Sequence, residues 1–224
     1  MRLFSNTAVL LGKELLTEFR SRELLTGSIV FVIIVIVLFS FTFEPGVSES
    51  RRFGPGLLWL AFLFAASLML QPCFLKERTN DTLSALRLSV GDPFAILLAK
   101  LLANAGFLLL TQLFLLPIFA VLYNIKVAAV IPQLVLVLLL GSVGISVTGT
   151  ALSAISAQAR MRELLLPLLL LPLLVPILIS STEATVKLLE EKPALRWDWL
   201  GILAAFDVVF LTALWLFGEY LLEE

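Results

Sequence analysis

Six long apolar segments constrain the fold of this chain more than any other feature of its sequence. A helix needs about 20 mostly apolar residues to cross the hydrocarbon core of a bilayer. The segments cover residues 25–43, 56–75, 94–123, 127–157, 164–181 and 199–222. With 60% hydrophobic residues and a mean hydropathy of +1.04, the chain exceeds what a water-soluble core absorbs. The sequence therefore predicts an all-α membrane protein with six transmembrane helices, in a single domain over residues 1–224.

The first segment carries no charge and includes a β-branched run from Ile33 to Val37. In a soluble protein this run would be compatible with a buried strand, but an open sheet edge cannot satisfy its backbone groups in lipid. The segment is also too long for the core of a signal peptide, and no small-residue cleavage site follows it. We therefore expect a helix and a retained N-terminus.

The distribution of Lys and Arg predicts the orientation, because basic residues are enriched on the cytoplasmic side. With a cytoplasmic N-terminus, that side holds ten: Arg2, Lys13, Arg20, Arg22, Lys76, Arg78, Arg87, Lys100, Arg160 and Arg162. The outer side then holds six: Arg51, Arg52, Lys126, Lys187, Lys192 and Arg196. This bias predicts that both termini are cytoplasmic, and Lys100 is expected to reach the cytoplasmic interface by snorkelling.

Residues 1–23 are predicted to form an amphipathic helix in the membrane interface. Its apolar stripe consists of Phe4, Ala8, Leu11, Leu15 and Phe19. The charged residues Lys13, Glu14, Glu18 and Arg20 lie off that stripe and are expected to face the cytoplasm. Two roles stay open: a simple N-terminal anchor, or an elbow helix that packs on a partner subunit.

The connection at residues 76–93 is longer and more structured than a simple turn requires. Asp81 can cap a short helix, Leu83, Leu86 and Val90 share one face, and Pro93 helps to end it. An amphipathic helix at the cytoplasmic surface suggests a contact with another protein, and a self-packed loop is the alternative. On the outer side, residues 181–198 are expected to include a short surface helix.

Polar residues and prolines inside the spans are few. Asp207 lies eight residues after Trp199, about 12 Å along the helix at 1.5 Å per residue. It is interpreted as an interhelical hydrogen-bonding residue, with a transport role as the alternative. Small residues from Gly141 to Ser153 favour close helix packing, and three prolines in the fifth segment indicate either packing or a bent, moving helix.

The composition excludes several functions. Lys and Arg total 16 against 17 Asp and Glu, so no basic surface for nucleic acid is expected. The chain has no histidine and one cysteine, which removes the usual metal sites and His-based catalysis. Because the Gly-rich stretch near residue 144 lacks a GK[ST] ending, no nucleotide-binding site and no enzyme activity are expected.

Several blocks of the sequence resemble the CcmB family, the permease subunits of the cytochrome c maturation ABC system. They are the Lys13–Leu15 opening, the Gly54–Trp59 entry to the second span, the loop from Lys76 to Leu83, Lys100–Asn104, Gln112 to Pro117, and the prolines of the fifth span with Pro167-Leu168 and Leu171-Pro172. The resemblance covers nearly the whole chain.

This resemblance implies an ABC-2-type permease in the bacterial inner membrane, without ATPase activity of its own. The loop after span two then docks into a CcmA-like ATPase subunit, through Glu77, Asp81, Leu83, Leu86 and Arg87. A CcmC-like haem-handling membrane protein and a CcmD-like small membrane subunit are the other implied partners, and a permease homodimer is possible.

The residue inventory adds a hypothesis about haem. Haem iron is usually held by His, Cys, Met or Tyr, and this chain has no histidine, one cysteine and three methionines. We expect no directly bound cofactor, with ATP and haem handled by partners. The alternatives are a permease for polysaccharide or drug export, a secondary transporter, which would need paired charges or repeats, and an intramembrane enzyme.

Overall fold

The computed structural model describes residues 2–41, 48–74, 86, 88, 92–157, 162–190 and 193–222. Within these ranges the chain forms seven long α-helices and no strand. They are α1 Arg2–Ser21, α2 Glu23–Ser40, α3 Ser48–Leu70, α4 Pro93–Leu122, α5 Ile131–Ser156, α6 Arg162–Leu189 and α7 Trp197–Leu222. Helices α2 to α7 are six helices long and apolar enough to cross a membrane. The predicted all-α fold with six transmembrane helices is confirmed.

Helix α5 lies at the centre of the bundle and packs against α3, α4, α6 and α7. Its residues from Gly141 to Thr150 are almost all buried, and most of them are glycine, serine or threonine. Small side chains let neighbouring helix backbones approach closely without a hydrophobic driving force. The small-residue stretch recognised in the sequence is therefore the packing face of the central helix.

Helix α3 begins at Ser48 and runs unbroken through Pro55 to Leu70, whereas the second span was predicted over residues 56–75. Gly54 lets α3 pack close to α4, because a Cβ at this position would lie 3.1 Å from the ring of Phe119 on α4. Phe119 stacks on Tyr123 with ring centroids 4.6 Å apart. The glycine before Pro55 therefore serves the contact between α3 and α4.

Two local signals define the ends of α4. At its start, the Asp92 carboxylate accepts a hydrogen bond from the Phe94 amide at 3.0 Å, and Pro93 occupies the first turn. At its end, Asn124 has a left-handed backbone with a φ of 51°, and the Ile125 amide donates to the Ala120 carbonyl at 2.9 Å. This bonding pattern is a Schellman motif, in which asparagine tolerates the left-handed position.

Helix α6 corrects the sequence interpretation of the fifth segment. The helix passes Ser181, where the span was predicted to end, and continues to Leu189, so the expected separate surface helix is wrong. Leu188 and Leu189 are buried in the main core, and this burial favours continuation of the helix. The three prolines lie within one continuous helix.

Helices α2 and α7 occupy the periphery of the described bundle. Val32 and Ile36 of α2 are buried, while Val30, Ile34 and Leu38 are exposed. On α7, Val208, Val209 and a C-terminal group from Trp215 to Phe217 are also exposed. Such apolar surface is expected on helices that face lipid.

Candidate functional site

The predicted coupling segment, residues 76–93, lies mostly outside the described residues. Glu77, Asp81, Leu83 and Arg87 are among those not described. Leu86 is described, and it packs half-buried against a cluster that includes Leu10, Phe74 and Leu97. Leu88 is 87% exposed. Of the two described leucines of the segment, Leu86 therefore contacts the bundle and Leu88 is exposed.

The coupling segment leaves the bundle at the C-terminal end of α3, where side chains from other helices bind the backbone. The last carbonyl groups of a helix have no partners within it. Ser153 of α5 donates to the Leu70 carbonyl at 2.8 Å, and Lys100 of α4 donates to the Cys73 carbonyl at 2.5 Å. A cation is also favourable beside the negative end of the helix dipole.

Lys100 joins this end of α3 to α1. Its side chain is 3% exposed, and Nζ lies 3.2 Å from Glu14 Oε1 and 5.0 Å from the ring centre of Phe74. These groups bind the ammonium of Lys100 inside the protein, and the expectation that it reaches the cytoplasmic interface stays a prediction. Sequence reasoning missed this pair, because Lys100 and Glu14 are 86 residues apart and no local pattern joins them.

Helix α1 packs on α4 through a polar edge as well as an apolar one. Thr7, Leu10 and Glu18 are buried, whereas Phe4 and Phe19 of the predicted stripe are 76% and 53% exposed. Phe4 and Phe19 therefore keep exposed apolar surface that can contact the membrane interface. Glu14 and Glu18 were expected to face the cytoplasm, and instead they face the bundle.

Glu18 shapes the elbow between α1 and α2. Its Oε1 accepts hydrogen bonds from the amides of Leu24 and Leu25 at 3.0 and 3.1 Å. These amides belong to the first turn of α2, which has no partners within its own helix. Arg22, at the turn itself, has a left-handed φ of 53°, a conformation that costs a non-glycine residue about 1 kcal/mol or more. The Glu18 cap offsets that strain.

A cavity of about 220 Å³ lies beside Lys100, between α1, the start of α2, the end of α3 and α4. Its polar wall includes Glu14, Lys100 and Asn104, and its apolar wall includes Met69 and Phe107. Asn104 Nδ2 donates to Cys73 Sγ at 3.3 Å and to Thr150 Oγ1 at 3.2 Å. The one cysteine of the chain is therefore part of the same junction.

Asp207 lies near the middle of α7 and is 5% exposed. A Cβ on Gly144 of α5 would lie 2.5 Å from Asp207 Oδ1 and 2.8 Å from Ile177 of α6. Among the described residues neither carboxylate oxygen has a hydrogen-bond partner, and the role of Asp207 as an interhelical hydrogen-bonding residue stays a prediction. Gly144 makes room for the carboxyl group where three helices meet.

Two other pairs of buried polar side chains are bonded across helices. Trp59 Nε1 of α3 donates to Thr185 Oγ1 of α6 at 3.0 Å, and Ser142 Oγ of α5 donates to Gln112 Oε1 of α4 at 2.8 Å. Such bonds stabilise helix association in a bilayer. In the described ranges, no group of three or more His, Cys, Asp or Glu side chains is placed to hold a metal ion.

Comparisons with known proteins extend over almost the whole of this helical bundle. Residues 5–217 match the family described as CcmB protein. Heme exporter protein B of Pseudomonas aeruginosa is 33% identical over 199 residues, covering 88% of this chain and 89% of the relative. The protein of the same name from Rhodobacter capsulatus is 33% identical over 174 residues, covering 78% and 79%, and that from Bradyrhizobium diazoefficiens is 29% identical over 160 residues, covering 70% of each. The chain therefore belongs to the CcmB protein family.

Proposed function

We propose that this chain is the membrane-spanning permease subunit of a haem exporter that serves cytochrome c maturation. The observation that carries the proposal is the match along nearly the full length to relatives named Heme exporter protein B. The six apolar helices agree with a multi-pass bacterial membrane protein. The same relatives favour haem delivery over the polysaccharide or drug cargo of the alternative reading.

The chain acts as a non-catalytic subunit that receives its movement from a separate, CcmA-like ATPase. The ATPase binds residues 76–93, through Glu77, Asp81, Leu83 and Arg87, on the cytoplasmic side. Leu86 supports the segment from inside, because it packs on the bundle. Leu88 joins the contact surface, because an 87% exposed leucine next to a supported one is available to a partner.

Haem is handled by partner subunits. The chain has no histidine, and its one cysteine, Cys73, has its sulfur next to Asn104. Iron ligation within this chain would need His, Cys, Met or Tyr as axial ligands. A CcmC-like membrane protein therefore binds the haem, a CcmD-like small subunit accompanies it, and the permease forms a homodimer within the complex. No nucleic acid takes part.

The chain lies in the bacterial inner membrane with both termini cytoplasmic. Helix α1 lies in the cytoplasmic interface, and the coupling segment leaves the same end of the bundle, next to α1. The support for this arrangement is the contact of Lys100 with both Glu14 and the Cys73 carbonyl. An ATPase in the cytosol then reaches the segment directly.

Co-purification from membranes in mild detergent tests this proposal. We expect the ATPase subunit to be retained by the unaltered chain and lost with Leu83→Asp or Leu88→Asp, because each places a charge in an apolar contact. Ala194→Asp adds the same charge to an exposed residue between α6 and α7 and should retain the ATPase. Retention by all three variants would remove the coupling assignment. A specific low-spin haem spectrum from the purified chain alone would contradict the absence of iron ligation.

A further inference from the structure

The coupling segment joins the bundle at two points, and both lead to α4. At its C-terminal end the chain enters α4 through Asp92, which caps the helix. At its N-terminal end the exit from α3 is bound by Lys100 through the Cys73 carbonyl. Lys100 lies seven residues after Pro93, which is about 10 Å along the helix. The first two turns of α4 therefore hold both ends of the segment.

Lys100 also reaches beyond α3 and α4. The ammonium contacts Glu14 of α1 at 3.2 Å and lies over the ring of Phe74, the last described residue before the segment. Its side chain is 3% exposed, so water does not substitute readily for these partners. Charge-assisted hydrogen bonds of this kind are stronger than neutral ones.

We propose that Lys100 is a positioning residue through which movement of the coupling segment is passed to α4 and α1. Displacement of the coupling segment acts on Cys73 and Phe74, and the bonds of Lys100 make α1 and α4 follow. Without the ammonium, the segment still binds the ATPase, but its movement changes only the end of α3 and is not passed to α1 and α4. This inference rests on the proposed coupling to an ATPase and adds the residue that carries it.

Cys73 is a native reporter of this movement, because it is the one cysteine of the chain and lines the cavity beside Lys100. The experiment uses the complete complex in lipid nanodiscs. The rate of alkylation of Cys73 by N-ethylmaleimide is measured with and without ATP, and this subunit is resolved from the others by mass spectrometry. We expect ATP to change the rate in the unaltered complex.

Lys100→Met removes the charge and keeps a flexible side chain. We expect the ATPase to stay bound, the ATP effect on Cys73 to disappear, and basal labelling to rise about tenfold, the factor that corresponds to losing ~1.4 kcal/mol of one charge-assisted hydrogen bond. Lys100→Arg keeps the cation and should restore the ATP effect. Lys187→Met, which removes an ion pair with Glu190 elsewhere, should behave as the unaltered chain.

The outcomes separate the two proposals. An ATP effect in Lys100→Met equal to that of the unaltered complex would overturn the role of Lys100 and leave the permease function standing. Absence of any ATP effect in the unaltered complex with the ATPase bound would also overturn the role of Lys100, whereas a complex that retains no ATPase would overturn the proposed coupling on which it rests. If Lys100→Met gives little folded complex, Glu14→Gln is used instead, because it removes only the ion pair between Lys100 and α1. A weakened ATP effect with the ATPase still bound supports the inference. An unchanged ATP effect contradicts the transfer of movement to α1.

Discussion

Replacing Gly141 by alanine tests how closely α5 packs against α3 and α6. A Cβ at this position would lie 2.3 and 2.6 Å from two ring atoms of Trp59 and 3.0 Å from Ser181 Oγ. Real carbon atoms do not approach this closely, so the indole has to move. Trp59 is 0% exposed, and its Nε1 is bonded to Thr185 at 3.0 Å. Movement therefore strains the packing and weakens that hydrogen bond.

The expected cost follows from these contacts. Overpacking a buried site costs about 1–3 kcal/mol, and loss of a hydrogen bond adds about 1 kcal/mol. The better helix propensity of alanine stabilises the folded chain by about 1 kcal/mol and offsets part of this cost. The net destabilisation of Gly141→Ala is therefore about 2 kcal/mol, which lowers the thermal midpoint of a chain of this size by roughly 6 °C.

The assay is thermal unfolding in detergent micelles, followed by circular dichroism. Gly106→Ala on α4 and Gly201→Ala on α7 are matched controls, because a Cβ at either position meets nothing within 4 Å. Both controls should unfold at or slightly above the midpoint of the unaltered chain. Equal midpoints for Gly141→Ala and Gly106→Ala would refute the packing argument.

Three further predictions concern buried charges and helix ends. Gly144→Ala should lower the thermal midpoint, because its Cβ would meet Asp207 Oδ1 at 2.5 Å. An unpaired buried carboxyl group is costly inside a membrane protein, so Asp207→Asn should not lower the thermal midpoint; a clearly lower midpoint would contradict this. Glu18→Ala should destabilise the chain by about 1–2 kcal/mol through loss of the α2 cap. Glu23→Ala, which removes an exposed acid in the same turn, should leave the midpoint nearly unchanged.

The sequence by itself determined the membrane fold and the family. Hydrocarbon thickness sets a minimum helix length, and each apolar segment meets it through local composition alone. The resemblance also depends on residues in order along the chain, such as Gly54 to Trp59, and needs no coordinates. The small residues near Gly141 were recognisable as a packing face for the same reason, because their spacing lies within one helix.

Only the tertiary structure decided which side chains meet. Lys100 and Glu14 are 86 residues apart, and no local pattern shows that the bundle brings them together. The continuation of α6 beyond Ser181 depends on burial against other helices, and the inward position of Leu86 depends on the cluster around Phe74. Hydropathy describes the solvent of each segment, whereas partners for buried charges and close contacts between helices arise from the packing of distant segments.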